Sequence, residues 1–244
     1  MTTIFPNPAG QSPQRIGIIV PSANRQVEQE MIPRLPAGFV AHVTRLRMVG
    51  ANYTPLAQLL PRAADSAAAL SDAGATVVAF NCTASSMEEG VAGNRALEAA
   101  LREATQGAVT TTASAVRDAA RAVKATRVVL VTPYSAAVTA RAAAFLEECG
   151  IEVLRSVARD VAGNGPYYDI PAKQWLTELI DARDARADGY VLSCANIAAL
   201  DVIGAAEAAL GAPVLTSNQA LMWRALRMAG CAQPLAGLGT LGTA

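Results

Sequence analysis

Two cysteines carry the first chemical signal in this 244-residue chain. In VVAFNCTASSMEEG, residues 77–90, an apolar run stops at Asn81 and Cys82 follows at once. GYVLSCANIAALD, residues 189–201, puts Cys194 at the same kind of junction. A thiol at the carboxyl end of a buried strand lies where open parallel sheets bind their ligands. Each thiol also precedes small residues, Thr83-Ala84-Ser85-Ser86 or Ala195-Asn196, that can present backbone N–H groups. Such amides lower a thiol's pKa and cradle a carboxylate. A lone cysteine in an apolar segment is usually an inert small hydrophobe, and Cys149 and Cys231, near the ends of predicted helices, read that way. The matched strand-end positions of Cys82 and Cys194 instead point to a paired-thiol site.

Other chemistries find few residues to work with. One histidine, His42, and no closely spaced cysteine pair leave a zinc site almost without ligands. Neither Lys124 nor Lys173 ends a strand, which argues against a pyridoxal Schiff base. GxSxG is absent, and a single histidine leaves little room for a Ser-His-Asp triad. GLGTLG, residues 237–242, matches a dinucleotide-binding pattern literally but has no helix after it. His42 reads as structural or surface-exposed, and Arg45 and Arg47 as one solvated strand face. Lys plus Arg balance Asp plus Glu at 20 each, with no basic stripe interleaved with aromatics, so nucleic acid is not an expected partner. No apolar run approaches the ~20 residues of a membrane helix. The opening MTTIFPNPAGQSPQR lacks the basic and apolar regions of a signal peptide. Reduced thiols in a cytoplasmic protein are the expectation.

The elements that must position the thiols alternate regularly. Strands are predicted at 15–20, 41–48, 77–82 and 108–112, with helices at about 24–32, 56–74, 94–104 and 113–124. The second half repeats the plan, with strands at 127–134, 151–158, 189–194 and 213–217 and helices at 135–149, about 171–186, 199–210 and 218–229. Strands alternating with 10–15-residue helices argue for parallel βαβ units. Pro21 and Cys82 lie 61 residues apart, as do Pro133 and Cys194. Such a fixed spacing between matched landmarks marks a duplicated unit. The reading is an α/β chain of two similar lobes related by a pseudo-twofold axis, each with a parallel four-stranded sheet. Residues 1–14 form a tail, 15–125 the first lobe and 126–244 the second, with segment 218–244 able to pack back on the first. The ligand site falls in the cleft between the lobes. Tyr167-Tyr168-Asp169 sits on a Gly/Pro-rich loop that either covers that cleft or merely joins elements.

Two lobes with a cysteine after the third strand of each resemble the aspartate/glutamate racemase superfamily. Within it the chain is most similar to maleate cis-trans isomerases and arylmalonate decarboxylases. VPSANRQVEQEM (20–31), TRLRM (44–48), VTPYSAAVTARAAAFLEECGI (131–151), VAGNGPYYDIP (161–171) and SCAN (193–196) carry the resemblance. It implies two Rossmann-like lobes, Cys82 and Cys194 as catalytic thiols, and Asn24, Tyr134 and Asn164 as carboxylate-binding side chains. Backbone donors at Thr83 and Ala84, or at Ala195 and Asn196, would stabilise charge on the intermediate. The implied activity is cofactor-independent isomerisation of maleate or a close dicarboxylate to fumarate, with no metal and a homodimeric assembly. A lowered pKa at Cys82 is expected to supply the thiolate. Decarboxylases of the group keep only the second cysteine, so Cys82 argues against that activity, although Thr83-Ala84-Ser85 is similar to their hydroxyl-bearing loop. A two-cysteine racemase or epimerase of an amino or hydroxy acid would use the same thiols, and a non-catalytic carboxylate-binding protein remains the alternative outside enzymes.

Overall fold

The structure is a computed structural model and describes residues 12–48, 54–161 and 166–244. The first lobe runs β1 (Gln14–Pro21), α1 (Val27–Met31), β2 (Phe39–Leu46), α2 (Leu56–Asp72), β3 (Val77–Phe80), α3 (Thr83–Met87), α4 (Gly90–Glu103), β4 (Ala108–Thr111) and α5 (Thr112–Ala122). The second runs β5 (Arg127–Thr132), α6 (Ala136–Glu148), β6 (Glu152–Ala158), α7 (Ala172–Asp181), β7 (Gly189–Leu192), α8 (Ile203–Leu210), β8 (Val214–Thr216) and α9 (Ser217–Met228). Both sheets are parallel and four-stranded, in the orders β2-β1-β3-β4 and β6-β5-β7-β8.

The central strands are unbroken apolar runs, and β3 and β7 are buried at every residue. That is what a parallel sheet covered on both faces requires. Register explains the sequence repeat. Ile19 pairs with Phe80 and Val131 with Leu192, so the third strand of each lobe lies 61 residues beyond its partner. Carrying that register two residues on brings Cys82 opposite the end of β1, and Cys194 takes the equivalent position beside β5.

Strand-end hydroxyls start the next helices without a loop. Thr111 caps α5 by accepting the Ser114 N–H. Thr216 caps α9 and, with Gln219, forms a reciprocal capping box. These two helices, each following the fourth strand of its lobe, pack against one another. One buried cluster joins Ile18, Val116, Val128, Leu130 and Leu221, and so belongs to both lobes. Trp175, Tyr190 and Leu192 fill a separate core in the second lobe, and Phe80, Leu97 and Leu101 another in the first.

Three helices begin away from where the sequence puts them; α8, expected from 199, starts at Ile203 after a 3-10 turn over Leu200–Val202. The first, expected from 24, starts only at Val27, because the Asn24 side chain accepts the N–H groups of Gln26 and Val27, each at 3.0 Å. A side chain that bonds its own backbone in this way favours a turn over a helical residue. The helix expected at 94 starts at Gly90, preceded by the unpredicted α3. Gly90 stands at φ +65°, a left-handed conformation that separates the two segments.

Candidate active site

Cys82 and Cys194 line one cavity of about 150 Å³ between the carboxyl ends of the two sheets. Asn24, Thr83, Ala84, Tyr134 and Ala195 share its wall, as do Tyr167 and Tyr168. Asn164 lies outside the described residues.

Cys82 is the residue from which α3 starts, and its Sγ meets the Ser85 hydroxyl at 3.2 Å. The N–H groups of Thr83 and Ala84 open that helix, where backbone donors have no intrahelical partner. The Thr83 hydroxyl faces elsewhere, donating to Ser217 Oγ at 2.8 Å across the lobe boundary. Thr83 therefore offers its backbone to a ligand and its side chain to the fold.

Cys194 is buried at 4% exposure, and the Asn196 N–H donates to its Sγ at 3.3 Å. The Tyr134 phenol also hydrogen-bonds this sulfur. Asn24 binds across the cleft, its Nδ2 donating to Ala195 O at 2.9 Å while its Oδ1 serves the start of α1. An amide nitrogen carries two hydrogens, so one donor of Asn24 stays available to a ligand.

The thiols are not the acids that the sequence suggested. Burial pushes Cys82 above the ordinary thiol value, against the opposing pull of the Ser85 hydroxyl and N–H. Cys194 goes further. Burial pushes it up to about 12, despite hydrogen bonds from Tyr134 and the Asn196 N–H. The shift at Cys82 thus runs opposite to the expected lowering, although this thiol is only half-buried where Cys194 is buried. One short helix and one hydroxyl do not offset the loss of water around a thiolate. Tyr134 is raised well above its ordinary value, by burial and then by the charge of Cys194. Tyr167 is raised by burial, with Cys194 and Cys82 adding to the effect. Both phenols are therefore neutral, Tyr134 hydrogen-bonded to the Cys194 sulfur and Tyr167 to Asn196.

Tyr167 was not among the site residues anticipated from sequence. Its loop is tied to the first lobe through the next residue. Gln26 Nε2 donates to Tyr168 O at 2.7 Å, and the Arg25 guanidinium lies 4.1 Å from the Tyr168 ring centre. The Tyr167-Tyr168 turn consequently borders the cavity instead of merely joining elements. A Pro-Tyr-Tyr run after glycines was the available signal, but its approach to the thiols depends on Arg25 and Gln26 in the other lobe.

Among the described lining residues there is no arginine, lysine or histidine. Arg45 is close by but bound, meeting both Glu28 carboxylate oxygens at 2.7 and 2.6 Å and Asn24 O at 2.8 Å. An anion in this cavity would be held by amides, phenols and backbone N–H groups. Such donors hold a carboxylate by directed hydrogen bonds without adding a net charge.

Comparison with known proteins agrees with this arrangement. The family model described as arylmalonate decarboxylase matches residues 16–242. The arylmalonate decarboxylase of Bordetella bronchiseptica is 34% identical over 88% of this chain and 90% of its own. The maleate isomerase of Nocardia farcinica is 31% identical over 93% of this chain and 95% of its own. A cysteine-to-serine mutant of the Nocardia enzyme has been solved with a covalently bound succinylcysteine intermediate; that structure superimposes with a TM-score of 0.86, covering 94% of this chain and 98% of that one, at 30% identity. A cysteine-to-alanine variant of the Pseudomonas putida S16 maleate isomerase, solved with maleate, gives a TM-score of 0.88 at 27% identity, over 94% and 97% of the two chains. By sequence and by fold, the chain belongs to the arylmalonate decarboxylase family, in which its matches include both decarboxylases and maleate isomerases.

Proposed function

We propose that this protein is a cofactor-independent cis-trans isomerase that converts maleate, or a close maleate-like dicarboxylate, to fumarate. The observation that carries this reading is the pair of thiols, one from each lobe, in a single cavity whose described lining offers amides, phenols and backbone N–H groups, no cation, and one acid, Asp160. Full-length similarity to maleate isomerases supports it.

Cys82, as thiolate, adds to one alkene carbon. The S–C bond forms and the π pair moves to the neighbouring carbon and its carboxylate. Backbone N–H groups at Thr83 and Ala84, or those after Cys194, stabilise the resulting enediolate charge as an oxyanion hole does. The Cys194 S–H gives its proton to that neighbouring carbon, leaving a succinyl thioether on Cys82. The former double bond is now single and rotates. The Cys194 thiolate then takes a proton back, the C=C bond re-forms, and the C–S bond breaks to return Cys82 as thiolate. Sulfur suits both ends of this cycle because it is a good nucleophile and a good leaving group.

A proton NMR time course of maleate with the purified protein in D₂O tests the reading. Fumarate carrying deuterium is the expected product. Unchanged maleate would remove the proposal for this substrate, and amino or hydroxy acids losing their α-proton signal in the same tube would point to a racemase.

Two further outcomes follow from the site. Burial holds Cys82 above the ordinary thiol value, so the nucleophile is the minor form at neutral pH and grows as pH rises. kcat/KM should therefore climb about tenfold per pH unit below the Cys82 pKa. Cys194, at about 12, remains a proton donor over that range. A bell-shaped profile peaking near neutrality would contradict both assignments. Tyr134→Phe removes a donor to the Cys194 sulfur, and a fall of about 10²-fold in kcat is expected. Activity within threefold of wild type would take the phenol out of the mechanism.

A further inference from the structure

One buried polar chain links the residues beside the two thiols. Glu30, in α1, is 7% exposed. Its Oε1 accepts the N–H groups of Ala199 and Leu200 at 2.5 and 2.9 Å, both in the loop that follows Cys194. Its Oε2 accepts Asn218 Nδ2 at 2.7 Å. That nitrogen also donates to Ala195 O at 3.2 Å, directly after Cys194. The Asn218 Oδ1 accepts Asn81 Nδ2 at 3.1 Å, directly before Cys82. A side chain of the first lobe thus holds the Cys194 loop of the second, and Asn218 touches the shoulder of each thiol.

The arrangement is not even-handed. Three of these bonds tie the Glu30–Asn218 pair to the Cys194 side, and one reaches the Cys82 side, through Asn218 only. All three bonds at Glu30 are donated to its carboxylate, which favours the charged form. Burial works against them and lifts Glu30 above the ordinary carboxylate value, while Asn218, the two N–H groups and Arg34 pull it down. A buried carboxylate also costs stability that an apolar side chain of similar size would not. We propose that the Glu30–Asn218 pair is the positioning device that makes the two thiols unequal, the Glu30 charge keeping Cys194 in its protonated, proton-donating form while Cys82 serves as nucleophile. This rests on the isomerase reading for its purpose, but not for its test. Burial is the main cause that raises Cys194, and the charges of Cys82 and Glu30 add to it. For Cys82 the causes are burial and Ser85. The groups facing Cys194 are Tyr134, Tyr167, Cys82 and Glu30, and beside Glu30 stands Arg34, itself paired with Asp201.

Iodoacetamide alkylation reads the thiols without any substrate, so its outcome is independent of whether maleate is turned over. In a Cys82→Ala background, alkylation of the Cys194 peptide is followed by mass spectrometry across pH, with Glu30 or with Glu30→Gln. The Gln variant should react about tenfold faster at pH 8, the effect of lowering the thiol pKa by about one unit. Glu30→Asp, which keeps the charge, should stay near the parent rate. A purely structural role would disturb Gln and Asp alike. An unchanged or slower rate in Glu30→Gln would overturn the proposal. Should Glu30→Gln fail to fold, the single-cysteine proteins decide. Cys194 in Cys82→Ala must titrate above Cys82 in Cys194→Ala, and the reverse order would overturn the proposal.

Discussion

Replacing Cys82 by serine is expected to lower kcat/KM for maleate by about four orders of magnitude, equivalent to roughly 5 kcal/mol of transition-state stabilisation. The change keeps the shape of the side chain and its contact with Ser85, so the fold has little reason to respond. What disappears is the chemistry. A hydroxyl ionises far less readily than a thiol, and among the described lining residues there is no histidine or lysine to act as its base. The alkoxide is also a poorer leaving group, so addition and elimination both suffer. Fumarate formation gives the rate, and a thermal melt checks the fold. An intact melt with activity within tenfold of wild type would mean that Cys82 is not the nucleophile.

Much of this architecture can be read from the chain because it is local. The strands read at 15–20, 77–82, 127–134 and 189–194 overlap the observed Gln14–Pro21, Val77–Phe80, Arg127–Thr132 and Gly189–Leu192, and the 61-residue spacing is the register between the first and third strand of each lobe. Asn24, Thr83, Ala84, Tyr134 and Ala195 meet at one cavity because each sits at or near the carboxyl end of a strand. GLGTLG falls largely in a short 3-10 turn over Gly239–Thr243. The features that stayed hidden depend on partners far along the chain. Glu30 looks like one acid among several in VEQEM. Its burial comes from Ala199, Leu200 and Asn218, about 170 to 190 residues away. Tyr167 reaches the thiols because its neighbour Tyr168 is held by Arg25 and Gln26. The direction of the Cys82 shift was missed for a related reason. Following amides can be seen in a sequence, whereas the desolvation that outweighs them is a property of two lobes closing on each other.

Cys194→Ser is the second large effect, and its signature differs from the first. Steady-state turnover should fall by about three orders of magnitude, yet the protein should gain the mass of one maleate on the peptide that carries Cys82. The reason lies in the order of steps. Cys82 can still add to the alkene, and a proton arriving slowly from water completes the succinyl thioether. Release then requires a base to remove a proton from the adjacent carbon, and a serine hydroxyl held beside Tyr134 is a far weaker base than a thiolate. The adduct therefore forms and waits. The Nocardia farcinica relative, captured as a cysteine-to-serine mutant with a succinylcysteine intermediate, gives the expectation a chemical precedent. Turnover near the wild-type rate would remove Cys194 from proton transfer. Loss of turnover without any adduct would mean that addition by Cys82 and protonation by Cys194 occur in one step, with the thiol as an obligatory partner from the start. An adduct that accumulates separates the two sulfurs into nucleophile and acid, the division of labour proposed for the Glu30–Asn218 pair, which makes more of its bonds to the Cys194 side.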